Sequence, residues 1–275
     1  MPSPRLAFAR IRLARVRLAM VLASLLVAAS ATSWAARVTP SLKVENWSWS
    51  DRVPAGHRVT VSGLYGDIVV VPTLNSTLRV TARKAGRLQD PSEVQIRVAN
   101  DRDGITVCTV YPGRHDACEP GEGREHTLDR DTDVDFRVEL PVGSPLVART
   151  IYGDIDIRGI SATVDASTDQ GRCRVETSRG GRVRTLSGDI RLQLGRMLPG
   201  AHLSVESING QLRIEVPKDF DATITARTEN GAITSELSGG LEGSPARTAR
   251  WSFGAPRGTI ECVTENGRIA VVRGR

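Results

Sequence analysis

Aromatic residues make up only 4% of this 275-residue chain, and they do not cluster. Trp47, Trp49, Trp251, Tyr65, Tyr111 and Tyr152 are scattered, although Tyr65 and Tyr152 precede equivalent glycines. Such scarcity argues against a stacking platform for sugars or bases. Long apolar runs are also lacking. One segment, residues 18–31, is apolar, and it falls short of the roughly 20 residues that a membrane helix needs. No helical period follows it. No Ser-His-Asp arrangement is detectable, and the Gly-Gly-x-Gly-x-Asp pattern of calcium-binding repeats is missing. The chain therefore reads as a non-enzyme with no cofactor.

The positive charge is local. The chain holds 37 basic and 31 acidic residues, and its first 35 residues supply five arginines and no acid, so the remainder is close to neutral. That remainder has no field suited to nucleic acid. Arg5, Arg10, Arg12, Arg15 and Arg17 form a basic start, the apolar run follows, and Ser33-Trp34-Ala35 puts small residues at the −3 and −1 positions of a cleavage site. Residues 1–36 thus read as a helical signal peptide, with retention as an uncleaved anchor as the alternative. The paired-arginine signal is absent and no cysteine follows the run, which points to the general secretion route without lipid attachment. The expected location is periplasmic or secreted, with no stable membrane span after cleavage.

Cysteine is sparse, with Cys108, Cys118, Cys173 and Cys262. In an oxidising compartment Cys108 and Cys118 are close enough to bridge a short polar loop. Such a bridge is worth roughly 2–3 kcal/mol on the loop-entropy model. Free thiols are the alternative there. Cys173 and Cys262 stand where other repeats have Ile, Val or Ala, and read as small buried hydrophobes.

What the chain does have is a repeat centred on a glycine. Its seven copies are Gly66, Gly153, Gly171, Gly188, Gly210, Gly231 and Gly267. Two residues after each glycine stands Ile, Leu or Cys. Four after stand Val70, Ile157, Val175, Leu192, Ile214 and Val271, with Ser235 the exception. Five before stands Val, Ala or Cys, and seven before an aliphatic residue, except at Gly181. Three before, five of the seven copies have Thr and one has Ser207. Each unit is apolar-x-apolar, turn, apolar-x-apolar, which predicts two short strands with one buried face around a turn. Glycine suits the positive φ that tight turns commonly need.

One unit cannot fold alone. Its four inward side chains contribute roughly 6–12 kcal/mol when buried, while ordering about 20 residues costs on the order of 20–40 kcal/mol. Stacking on neighbours supplies the remainder. The spacings of 18, 17, 22 and 21 residues from Gly153 to Gly231 fit the rungs of a β-helix, and the step of 36 to Gly267 leaves room for a degenerate copy or a long insertion. The expected fold is an all-β solenoid. A β-sandwich of hairpins is the alternative, since it also places Asn-Gly turns between alternating strands. Residues 37–133 read as an N-terminal β region whose polar loop, 112–133, projects. Residues 134–275 read as the regular repeat.

The segments Phe136-Arg137-Val138-Glu139-Leu140-Pro141-Val142-Gly143 and Thr150-Ile151-Tyr152-Gly153-Asp154-Ile155-Asp156-Ile157, with the later glycine units, carry a resemblance. Over residues 57–275 the chain resembles the bacterial "putative adhesin" β-strand-repeat proteins, a domain family of unknown function. The resemblance implies a β-solenoid exported to the cell envelope, without catalytic residues.

Among candidate sites, Arg174, Arg191 and Arg213 share one outward position in successive units. Three guanidinium groups in a row can bind an anionic envelope polymer or lipid head group, or serve as a solvated face that protects a sheet. Asp67, Asp154 and Asp189 follow their glycines and read as turn residues rather than calcium ligands. His115, Asp116 and His126 around Cys118 match no tight zinc motif. His57 and His202 read as surface residues. Asn209, Asn230 and Asn266 predict a side-chain ladder. Function is expected to be that of a binding or scaffolding module for an envelope polymer, lipid or protein. A glycan-active enzyme on a β-helix is the alternative.

Overall fold

The computed structural model describes residues 41–100, 102, 104–112, 131–237, 241–243 and 246–274. The expected signal helix of residues 1–36, and His115, Asp116, Cys118 and His126, lie outside the described residues.

Alternating side chains produce strands wherever the repeat predicted them. The N-terminal part supplies β1 (Lys43–Arg52), β2 (Arg58–Ser62), β3 (Ile68–Thr73), β4 (Thr77–Gly86), β5 (Gln95–Asn100), β6 (Gly104–Val110) and β7 (Asp133–Pro141). Next come β8 (Leu146–Tyr152), β9 (Ile155–Ile160), β10 (Val164–Gln170), β11 (Cys173–Thr177), β12 (Gly181–Ser187) and β13 (Ile190–Leu194). They are followed by β14 (His202–Asn209), β15 (Leu212–Val216), β16 (Ala222–Asn230) and β17 (Ile233–Ser235). The chain ends with β18 (Leu241–Gly243), β19 (Ala246–Ser252), β20 (Gly258–Asn266) and β21 (Ile269–Arg273).

Two large mixed sheets result, and neither closes. The first runs β1-β4-β7-β3-β9-β11-β13-β15-β21-β17, and the second runs β18-β19-β16-β20-β14-β12-β10-β8-β2-β6-β5. Both contribute to one apolar core. The strand before each glycine lies in the second sheet and the strand after it in the first. The two strands of a unit therefore do not pair with each other. Strand β8 pairs in parallel with β2 and β10, while β9 pairs in parallel with β3 and β11. Every aliphatic residue read as inward is buried, from Val59 and Val61 to Ile269 and Val271.

The architecture is nearer the sandwich alternative than the expected β-helix, for two physical reasons. First, the flanks are antiparallel: β4 pairs antiparallel with β1 and β7, β5 with β6, and β19 with β16. Alternation specifies a buried face but not a pairing direction. Second, the pile is out of chain order. Strand β20 lies between β14 and β16, and β21 lies between β15 and β17. The last unit of the chain thus fills a slot that the chain skipped after Val216. The 36-residue step holds an insertion, the antiparallel pair β18–β19. Nor are the units hairpins, as the sandwich alternative supposed.

At the N-terminal end the half-buried Trp47 and Trp49 of edge strand β1 pack against the core. Lys84 is buried there. Its ammonium donates to the Val94 carbonyl at 3.0 Å and pairs with Glu45 at 2.8 Å, so the charge is both hydrogen-bonded and matched. Asp131 ties the same end together by accepting from the backbone N–H groups of Arg87, Leu88 and Gln89. Those bonds hold its carboxyl below the usual range.

Candidate functional site

The turn edge carries ladders of backbone and short polar side chains. A Cβ built on Gly153 would lie 2.0 Å from the Gly66 carbonyl oxygen, and one on Gly171 would lie 1.9 Å from that of Gly153. The same closeness continues through Gly188, Gly210, Gly267 and Gly231, in that order. Glycine is needed here because stacked backbones touch. The expectation from positive φ gives the weaker reason.

The threonines three residues earlier complete the arrangement. Thr150, Thr168, Thr185, Ser207, Thr264 and Thr228 each donate a hydroxyl to the glycine carbonyl of the neighbouring unit, at 2.9–3.2 Å. These hydroxyls are buried, so losing one strands a carbonyl. Asn230 donates to Asn266 and Asn266 to Asn209, both at 2.9 Å. Asp67, Asp154 and Asp189 accept from the backbone N–H groups of Asp154, Arg172 and Gln211, each at 2.8 Å. One oxygen of each carboxylate is thereby engaged by the stack. Among the described residues no group of three or more His, Cys, Asp and Glu is arranged to hold a metal ion.

Arg174, Arg191 and Arg213 stand side by side on β11, β13 and β15, facing outward from the first sheet. The row is partly neutralised. Glu215, 8% exposed, takes Arg191 at 2.6 Å and Arg213 at 2.9 Å. Asp156 lies opposite Arg174 in register, but its carboxylate is held by Arg158. The ring of Tyr152 stacks on that of Tyr65, with centroids 5.2 Å apart and planes 7° from parallel. Burial, and then the neighbouring Tyr152, push the Tyr65 hydroxyl above its ordinary pKa.

The outward face of the second sheet carries a groove of about 530 Å³ across the starts of β6, β2, β8, β10, β12 and β14. Arg58, Arg149 and Arg182 line it, with Asp165 as its one carboxylate among the described residues. Arg149 and Asp165 approach to 3.8 Å. Arg58 and Arg182 are exposed and have no ion-pair partner among the described residues. The sequence held no signal for this groove, because its residues come from strands whose adjacency only the fold defines.

No protein-family model matches the chain, and no curated protein matches it in sequence. Solved structures do. Several of the solved structures it resembles are bacterial proteins named as a "putative adhesin" or a "putative cell adhesion protein". A "putative cell adhesion protein" from Clostridium sporogenes is 12% identical, with a TM-score of 0.48 over 84% of this chain and 100% of that one. A "putative adhesin" from Bacteroides fragilis is 12% identical, with a TM-score of 0.34 over 86% and 99%. One from Parabacteroides distasonis is 12% identical, with a TM-score of 0.31 over 84% and 97%.

The cysteines divide into two kinds. Cys173 and Cys262 are buried free thiols. Burial pushes both up to about 12, with Asp154 adding to the first and Glu261 to the second. Cys108 is also buried and is not one of the free thiols, whereas Cys118 lies outside the described residues. Iodoacetamide at neutral pH is therefore expected to leave the native protein unlabelled, since the thiolate is the reacting species. Unfolding without reduction should expose two sites, and reduction should raise the total to all four cysteines, as read by intact mass. Four labels without reduction would rule out the Cys108–Cys118 bridge.

Proposed function

We propose that the chain is an exported, non-catalytic binding or scaffolding module of the cell envelope, adhesin-like in use. One observation carries this reading: inward positions repeat from unit to unit while the outward ones differ. The buried row Val61, Ala148, Ala166, Val183, Val205 and Cys262 keeps one character. The neighbouring outward row reads Thr60, Val147, Asp165, Arg182, Ser204 and Glu261, a mixture of hydroxyl, apolar, acidic and basic side chains. A rigid frame with variable facing side chains is a display surface, and sites on such frames belong to their residues rather than to the fold.

From Leu146 to Val216 the chain passes once through each sheet before moving one ladder step along, a solenoid-like winding inside the two-sheet body. Residues 1–36 act as the signal peptide for general secretion, and the mature chain resides in the periplasm or outside the cell. Among the described residues no helix is long and apolar enough to cross a membrane.

The test is fractionation of cells expressing the full chain with a C-terminal tag. Most of the tagged protein is expected in the periplasm or medium, with a mature N-terminus near residue 36, and the purified protein is expected to co-sediment with isolated envelopes. Retention in the cytosol, or no co-sedimentation, would overturn the reading.

A further inference from the structure

We infer that the groove on the outward face of the second sheet binds an acidic, hydroxyl-bearing glycan chain. The inference rests on the binding-module reading and assigns it a site and a ligand class. Charge gives the first ground. Arg58 and Arg182 face the groove with no acid partner among the described residues, and Asp165 is shared with Arg149. Guanidinium groups match carboxylates with paired donors. The first-sheet row is worse placed, since Glu215 already occupies two of its three arginines.

The second ground is the lining. Thr60 is 6% exposed and Thr106 is 7% exposed, and both lie in the groove. Neither hydroxyl has a hydrogen-bond partner among the described residues. This contrasts with the turn threonines, whose hydroxyls are all engaged. Hydroxyls that open onto a cleft can donate to and accept from a polar ligand. Thr163 adds an exposed hydroxyl along its length, whereas the Ser204 hydroxyl donates to Glu206 at 2.8 Å.

Length gives the third ground. Arg58 starts β2 and Arg182 lies near the start of β12, three ladder steps apart through β8 and β10. At about 4.8 Å per step their backbones stand roughly 14 Å apart. Anchors so separated suit a chain with repeated acidic groups. The hydroxyls between them suit the polar stretches of a sugar chain.

The test is titration of the exported full chain with an oligogalacturonate, a dextran oligomer of equal length and inorganic polyphosphate. Oligogalacturonate is expected to bind and dextran is not. The pair R58Q/R182Q is expected to weaken oligogalacturonate binding by at least about tenfold, the scale of one lost charge-assisted contact. The pair R174Q/R191Q, on the opposite sheet, should leave binding unchanged. Both pairs replace exposed side chains, and thermal melts establish that each variant is folded. Equal binding of dextran, binding of polyphosphate alone, or no effect of R58Q/R182Q would overturn the inference. Failure of the unaltered chain to bind oligogalacturonate, with envelope co-sedimentation intact, would overturn the groove assignment and leave the binding-module reading. Cleavage of a bound oligomer would remove the non-catalytic reading and leave the groove.

Discussion

Deletion of residues 258–275 is expected to abolish cooperative folding, although it removes only the end of the chain. Those residues form β20 and β21, which lie inside the pile. Ile260, Cys262, Ile269 and Val271 are fully buried and Val272 nearly so. Their burial is worth roughly 7–15 kcal/mol at about 1.5–3 kcal/mol each, comparable with the whole stability of a typical domain, about 5–15 kcal/mol. The deletion also strips partners from both β14 and β16, and breaks the asparagine ladder at its middle member. Urea titration followed by circular dichroism should show no sigmoidal transition, and size exclusion should show aggregates. A synthetic peptide of residues 256–275 should restore the transition, because the vacated slot is lined on both sides. Deletion of edge strand β1, which among the described residues pairs only with β4, should lower the midpoint and keep the transition. A truncated chain that melts like the parent would show that the terminal pair is not an internal rung.

Gly210→Ala is expected to cost about 3–5 kcal/mol, at the upper end for single substitutions. Its added carbon would lie 1.8 Å from the Gly188 carbonyl oxygen, far inside contact distance. The obstacle is backbone held on both sides by sheet pairing, so relief means separating two rungs. Gly143→Ala provides the contrast. Nothing lies within 4 Å of its added carbon, and only the backbone conformation, with φ of +88°, resists. That strain costs about 1–2 kcal/mol. Urea midpoints of the two variants measure the difference. Equal losses would mean that backbone conformation, rather than stacking, makes the ladder glycines necessary.

The sequence was most legible where one physical demand repeats. Side chains two and four places past each glycine, and five and seven before, must be apolar because they share one interior, and that period could be read directly. Strands β4, β5, β6 and β7 were visible as alternating runs for the same reason. Pairing order was not legible. Any unit presents the same inward pattern to any other, so nothing local reveals that Gly267 sits between Gly210 and Gly231. The threonine three places before the glycine was visible as a pattern, yet its use depends on a carbonyl supplied by a different unit. The arginine row was foreseen as a row, but Glu215 lies two residues further along and reaches back only because Arg191 and Arg213 are adjacent. The groove stayed hidden because Arg58, Thr106 and Arg182 come together only through the order of strands.

The interleaved last pair also limits how this molecule can grow in evolution. A gene gains repeats most simply by tandem copying, and a new copy after residue 273 would find its natural docking site already occupied by β16 and β17. Lengthening is open only between Gly153 and Gly210, where neighbours in the chain are also neighbours in space. Relatives of different size should therefore vary in that middle block and keep the closing strands as a fixed wedge.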